Sequence, residues 1–434
     1  MRVTPSRAAV LGVALLLGSA TTPSQDMNTI ADRYVRLVLE VGQHDPDFVD
    51  AYYGDPARKP QGAAIPLPEL SRRAAALRDD LQRLPLPPAG DELSRLRREY
   101  LDKQLQAALG RLAVLQGTKF TFDQEAEQLY DTTPPRKTEA DFAPALAELE
   151  KLLPGEGALT ERYARFRQGY LIPKDRVEAV FRAAIEGCRS RTVAHLGAEH
   201  ALPPEESFTV EYVTGKSWSA YNWYQGGFKS LIQVNTDLPI SIDRALDLAC
   251  HEGYPGHHVY NVLLEKHLVR DRGWVEFSVY PLFSPQSLIA EGTANFGIEV
   301  AFPGEARLAF ERDTLYPLAG LDPKSAALYH QVQRVLDRLA YAGNEAARRY
   351  LNGEIDRDAA AKWLEQWAMM PADRAAQRTH FFDQYRSYVI NYNLGKDLVR
   401  AYVERQGGTA EQPDVRWREF AKLLSSPRLP SGLR

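Results

Sequence analysis

The chain has 434 residues, 44% hydrophobic and 25% charged, with 29 Gly and 28 Pro. That balance excludes disordered and collagen-like classes and allows one large core or two modest ones. Lys and Arg total 53 against 57 Asp and Glu, a formal charge of −4, so there is no basic excess to grip phosphates and nucleic acid is not the expected partner.

The first twenty residues read as a secretory signal peptide. Arg2 and Arg7 give a positive start, residues 8–18 form an apolar stretch, and Gly18 and Ala20 are the small residues that precede cleavage after Ala20. The stretch is too short to span a bilayer comfortably, and no later apolar run is long enough to do so. A secreted or periplasmic mature chain without a membrane span is therefore expected. The two cysteines, Cys188 and Cys250, allow one disulfide in an oxidising compartment, and a pair of buried free thiols fits the sequence equally well.

Downstream, the pattern is mainly α. Apolar residues at helical spacing (Tyr34, Leu37, Val38, Val41) predict a helix over 31–42. Residues 67–84 and 91–116 are amphipathic and separated by Pro85, Pro87 and Pro88. Further helices are expected over 139–153, 160–170, 173–196, 326–350, 357–367 and 385–406. One region breaks the pattern. Residues 208–214 and 230–236 are rich in β-branched and aromatic types and predict a small β-ribbon, with the aromatic stretch 218–228 as its connection. The organisation is a helical part over 21–200 and a site-bearing part over 201–434, together one continuous domain.

Three of the nine histidines fall within His251-Glu252-Gly253-Tyr254-Pro255-Gly256-His257-His258. A His-Glu pair on a helix suits zinc chemistry, because the imidazole binds the metal and the adjacent carboxylate polarises a water on it. In a straight helix, however, His257 lies about 120° around from His251 and about 9 Å along the axis, too far to share an ion. Pro255 removes a helical N–H and Gly256 tolerates unusual dihedrals. The motif thus predicts a helix with two residues bulged out, His257 as second ligand and His258 beside the substrate pocket. Glu291 is the expected third ligand, on a helix opened by Ser284 and Pro285. Ala290, Gly292 and Ala294 are small enough to bring that helix close to the His251 helix, and Asn295 and Glu299 share the Glu291 face and are placed to orient ligands.

The motif, followed by Ala290-Glu291-Gly292-Thr293-Ala294, resembles the bacterial "domain of unknown function 885" family. That family groups with zinc metallopeptidases similar to the gluzincins, the thermolysin-like class with two His and one Glu. The stretches 45–54, 338–343 and 392–396 resemble further segments of the family. The resemblance implies a mainly α, gluzincin-like metallopeptidase fold with a small β-ribbon beside the metal-binding helix. It also implies Zn2+ held by His251, His257 and Glu291, with Glu252 as general base. Tyr392, or Tyr388 one turn before it, is the expected oxyanion donor. Because gluzincins bind peptide along an edge strand, residues 231–235 are the expected substrate strand, with Gln233, Asn235, Tyr221 and His258 as substrate-binding residues. The expected activity is peptide-bond hydrolysis. The alternatives are hydrolysis of another amide or ester, or a non-catalytic metal-binding module, and Glu252 argues against the last of these.

Overall fold

The Asp26 carboxylate accepts the Thr29 backbone N–H at 2.8 Å and so caps the first helix, α1 (Met27–Val41). The computed structural model describes residues 26–216, 218–237 and 239–434, and the signal peptide expected over 1–20 lies outside them. Strand β1 (Val49–Tyr52) follows, then α2 (Leu67–Arg83), α3 (Glu92–Leu115), α4 (Phe122–Tyr130), α5 (Glu139–Leu152), α6 (Leu159–Gln168) and α7 (Val177–His195). The α2 pattern shows why these segments are helical: Leu70, Ala74, Leu77 and Leu81 recur at helical spacing, and all four are buried. Helix α4 was not among the expected elements. It is opened by a capping box in which Thr121 and Gln124 satisfy each other's backbone N–H.

The ribbon region is a three-stranded sheet. Strands β2 (Ser207–Val213), β3 (Ala220–Gly226) and β4 (Lys229–Asn235) lie in the order β2-β4-β3, with β2 parallel and β3 antiparallel to β4. The stretch expected as an aromatic connection is therefore itself a strand, turned into β4 by Gly226 and Gly227 at positive φ. β4, expected at the edge, is the central strand and has no free side to offer a peptide.

Next come α8 (Ile242–Leu248), α9 (His257–Leu264), β5 (Val279–Pro281) and α10 (Pro285–Ala301), with β5 pairing antiparallel to β1. The rest is helical: α11 (Glu305–Phe310), α12 (Tyr316–Ala319), α13 (Ala326–Asp337), α14 (Ala342–Leu351), α15 (Arg357–Trp367), α16 (Ala372–Tyr385), α17 (Ile390–Arg405) and α18 (Pro413–Leu424). The single helix expected over 326–350 is two. Turns after Asp337 redirect α14 onto α15, where Trp363 Nε1 donates to the Ala342 carbonyl at 3.0 Å.

Helix α10 is the axis of the molecule. It starts at Ser284 and Pro285 as expected, and of its residues only Asn295 and Glu299 are not buried. Of its small residues, Gly292 serves a different neighbour from the one expected. Gly292 packs on Gly395 of α17, where a Cβ would sit 2.5 Å from the Gly395 carbonyl oxygen, and Gly297 faces Pro255. Both parts of the chain enter one hydrophobic core. Buried polar ties join them as well: Arg97 is bidentate to Glu276, and the Tyr100 hydroxyl donates to Gln286 at 2.7 Å. Cys188 of α7 and Cys250 form a disulfide, with Cα atoms 5.6 Å apart. At the other end of the chain, Leu433 is fully buried and the Ser431 N–H donates to Asp131 at 3.0 Å.

The α10–α17 contact makes a direct prediction. Gly292→Ala should cost about 1–3 kcal/mol in urea unfolding, because backbone rather than a flexible side chain opposes the new methyl. Gly343→Ala, in α14 with no atom within 4 Å of the new Cβ, should be neutral or stabilising by up to about 1 kcal/mol.

Candidate metal centre

After α8 the backbone opens into a wider π-helical turn, Ala249–Gly253, then breaks at a cis Tyr254–Pro255 bond and restarts as α9 at His257. The expected single bulged helix is thus two helices meeting at a corner. The break folds back directly onto the turn it leaves: the Gly256 N–H donates to the Cys250 carbonyl at 3.0 Å, and a Cβ on Gly256 would lie 1.9 Å from the His251 carbonyl oxygen. Only glycine fits there. The corner brings the His251 and His257 rings to 4.6 Å between centroids, at right angles.

Helix α10 presents Glu291 to this pair. One ligand atom from each of His251, His257 and Glu291 lies within 4.8 Å of the others. Glu291 Oε2 is 3.2 Å from His251 Nε2, and Oε1 is 3.8 Å from His257 Nε2. Asn295, one turn on, is fixed by donating Nδ2 to the Tyr392 carbonyl at 3.1 Å, and its Oδ1 is left to accept from His251 Nδ1 at 3.1 Å. That tautomer turns the Nε2 lone pair toward Glu291. Glu291 Oε1 accepts the Tyr388 hydroxyl at 2.8 Å, while Oε2 is buried and, among the described residues, faces only the His251 ring. A ring nitrogen and a carboxylate oxygen facing each other at this range share a cation, either a proton or a metal ion. Two imidazoles and a carboxylate are the protein donor set that zinc takes in hydrolytic sites. Glu299, by contrast, turns to Lys396 at 2.8 Å and to Arg400, away from the centre.

The electrostatics divide the groups by role. Burial, reinforced by His251, pushes His257 down to about 4, so its ring is neutral and available as a ligand at neutral pH. Burial also opposes charge on His251, but the Glu291 and Glu252 carboxylates outweigh it and raise this ring. Glu252, one residue along the same turn, is pushed up to about 7, first by burial and then by Glu291 and Asp50 against the pull of His251 and Arg244. Its backbone carbonyl accepts Asn222 Nδ2 of β3 at 2.6 Å, which ties the sheet to the turn. Burial raises the Tyr392 phenol, with Glu291 next, so it stays protonated. Among the described residues the Tyr392 hydroxyl has no hydrogen-bond partner, whereas that of Tyr388 is committed to Glu291.

Of the four expected substrate residues, Tyr221 donates to Asp50 Oδ1 at 2.9 Å and lies within the field of Glu252. Gln233, directly opposite Tyr221 across the sheet, donates to Glu211, and Asn235 holds the Lys216 and Trp218 carbonyls. His258 is fully buried, with Nδ1 on Ser230 Oγ at 2.8 Å and Nε2 on Glu206 at 2.9 Å. It braces α9 against the sheet and does not line a pocket. Asp50 of β1 was not among the expected site residues. Burial, with Glu291 adding, pushes its carboxyl up to about 6, against the bond from Tyr221.

No protein-family model matches the chain, and no curated protein does. Among solved structures it is similar to one described as "the putative lipoprotein from Colwellia psychrerythraea", at 13% identity and a TM-score of 0.51, over 84% of this chain. The chain spans 65% of the length of that protein, and at this identity the likeness shows the fold alone. A second, described as "a putative lipoprotein of unknown function from Shewanella oneidensis", aligns at 12% identity over 82% of this chain and 72% of its own, with a TM-score of 0.41.

The two adjacent histidines should separate cleanly by substitution. His257→Ala should lose bound zinc, measured by plasma mass spectrometry on purified protein. His258→Ala should keep its zinc yet unfold about 1–3 kcal/mol more easily, since Glu206 and Ser230 lose a buried partner.

Proposed function

We propose that this protein is an extracytoplasmic zinc peptidase of the gluzincin type, related to the family that its motif resembles. The observation that carries the reading is the convergence of His251, His257 and Glu291 on one point, with Glu252 on the same turn as the first ligand. Bound there, zinc would supply Lewis acidity and lower the pKa of a bound water. Glu252, poised near neutrality, takes the proton of the attacking water and returns it to the leaving amine. Asn295 keeps His251 in the ligating tautomer and Tyr388 holds Glu291 in place. Tyr392, with its hydroxyl unengaged, is the donor for the oxyanion that develops on the scissile carbonyl. An extended substrate would lie along β3, which is paired on one side only and linked to the Glu252 carbonyl through Asn222.

The extracytoplasmic location is supported by the Cys188–Cys250 disulfide and by the signal-peptide pattern. Among the described residues no helix is long and apolar enough to cross a membrane.

A peptide-library digest read by mass spectrometry tests the reading. Glu252→Gln should retain about one equivalent of zinc and lose hydrolysis by about 10²-fold or more. Cleavage restricted to small amides or esters would instead identify another hydrolase, and zinc binding with no hydrolysis a binding module. Tyr392→Phe should lower kcat by about 10²–10³-fold with little change in KM, while Tyr388→Phe should weaken zinc affinity by about 10–100-fold.

A further inference from the structure

Helix α16 carries an arginine whose setting the catalytic reading leaves unexplained. The Arg378 guanidinium lies among three rings, its Cζ 4.3 Å from the Phe381 centroid and 5.9 Å from those of Phe382 and Tyr392. Its Nε is buried and has no hydrogen-bond partner. The one titratable group whose field acts on it is the Tyr392 phenol, and no carboxylate among the described residues pairs with it. The more deeply buried arginines hold an acid: Arg97 holds Glu276, Arg111 holds Asp45, and Arg348 holds Asp123 and Glu345. Arg378 is half-buried, and a guanidinium drawn even partly out of water is normally paired.

Stacking alone is one way to seat a guanidinium, as Arg191 over Phe302 at 4.1 Å shows. Arg378 differs in the company it keeps. The Tyr392 ring is 5.7 Å from that of Tyr388, whose hydroxyl holds Glu291, and Tyr392 lies in the fields of both Glu291 and Glu252. The cation thus lies against the ring of Tyr392, the residue that the catalytic reading places at the scissile carbonyl, so a carboxylate that it binds would belong to a residue close to the scissile bond. Its planar guanidinium, without a hydrogen bond or ion pair among the described residues, matches a carboxylate bidentately.

We infer that Arg378 receives the free C-terminal carboxylate of a peptide substrate, so that the centre releases one or two residues from the C-terminus. This rests on the peptidase reading above. The competing polar group is Asp50, which suits a terminal amine; it is already partnered by the Tyr221 hydroxyl, whereas Arg378 has ring contacts but no anion or hydrogen-bond acceptor among the described residues.

The test uses the zinc-loaded full chain and N-acetylated peptides that differ only in a free or amidated C-terminus. Hydrolysis is followed by mass spectrometry, and binding to the Glu252→Gln protein by fluorescence anisotropy. The free-acid peptide should lose one residue or a dipeptide, and amidation should weaken both binding and kcat/KM by about 30-fold or more. In Arg378→Ala that discrimination should vanish, and Arg378→Lys, which keeps the charge should the alanine variant fold poorly, should restore part of it. Equal cleavage of free and amidated peptides, or cleavage abolished by N-acetylation, would overturn the assignment while leaving the peptidase reading intact. Zinc binding with no hydrolysis of any peptide would overturn the peptidase reading and this one with it.

Discussion

Glu291 is buried on the central helix α10, with one oxygen held by the Tyr388 hydroxyl and the other facing the His251 ring. A carboxylate in such a place is expensive unless positive charge or donors surround it. The elements packed around α10 supply them. The glycine-on-glycine crossing brings α17 against α10; the turn that leads into α17 carries Tyr388 onto Glu291, and α17 provides the carbonyl that fixes Asn295. On the other side, the corner between α8 and α9 carries the two imidazoles. Withdrawing any of these contacts would leave a buried charge exposed to its own desolvation cost.

The corner is held from several directions at once. Cys250 is tied to α7, Gly256 lies on the Cys250 and His251 carbonyls, Pro255 packs on Gly297, and Asn222 grips the Glu252 carbonyl. His258 adds a buried link from α9 to Ser230 and Glu206. Backbone that leaves regular geometry persists only where its surroundings over-determine it, and such places cluster at functional sites. Here the irregular turn is what puts Glu252 and two histidines within one small volume.

Much of this was legible from residues alone. The mainly α character, the start of α10 at Ser284 and the need for a break between His251 and His257 follow from periodicity, capping and helix geometry, and Asn295 follows from its spacing to Glu291. What escaped did so for physical reasons. Strand β3 is crowded with aromatics beside a Gly-Gly turn, so its alternation looks like a connection, and no local pattern reveals that β4 lies between two neighbours. His258 is polar and next to His257, and nothing nearby in sequence announces that Ser230 and Glu206 will bury it. Asp50 and Arg378 come from opposite ends of the chain, and long-range packing alone carries them toward the centre. Helix α4 was within reach, because Thr121 followed by Gln124 is a capping signature.

The burial of Leu433, with Ser431 bonded to Asp131, bears on how the protein folds. The turn over Pro430–Leu433 docks on residues some three hundred positions away in the chain. A contact between such distant positions is favoured only once the segments between them have largely condensed, because the loop it closes must give up its conformational entropy first. The dock is thus a late lock on an assembled core rather than a nucleus for it.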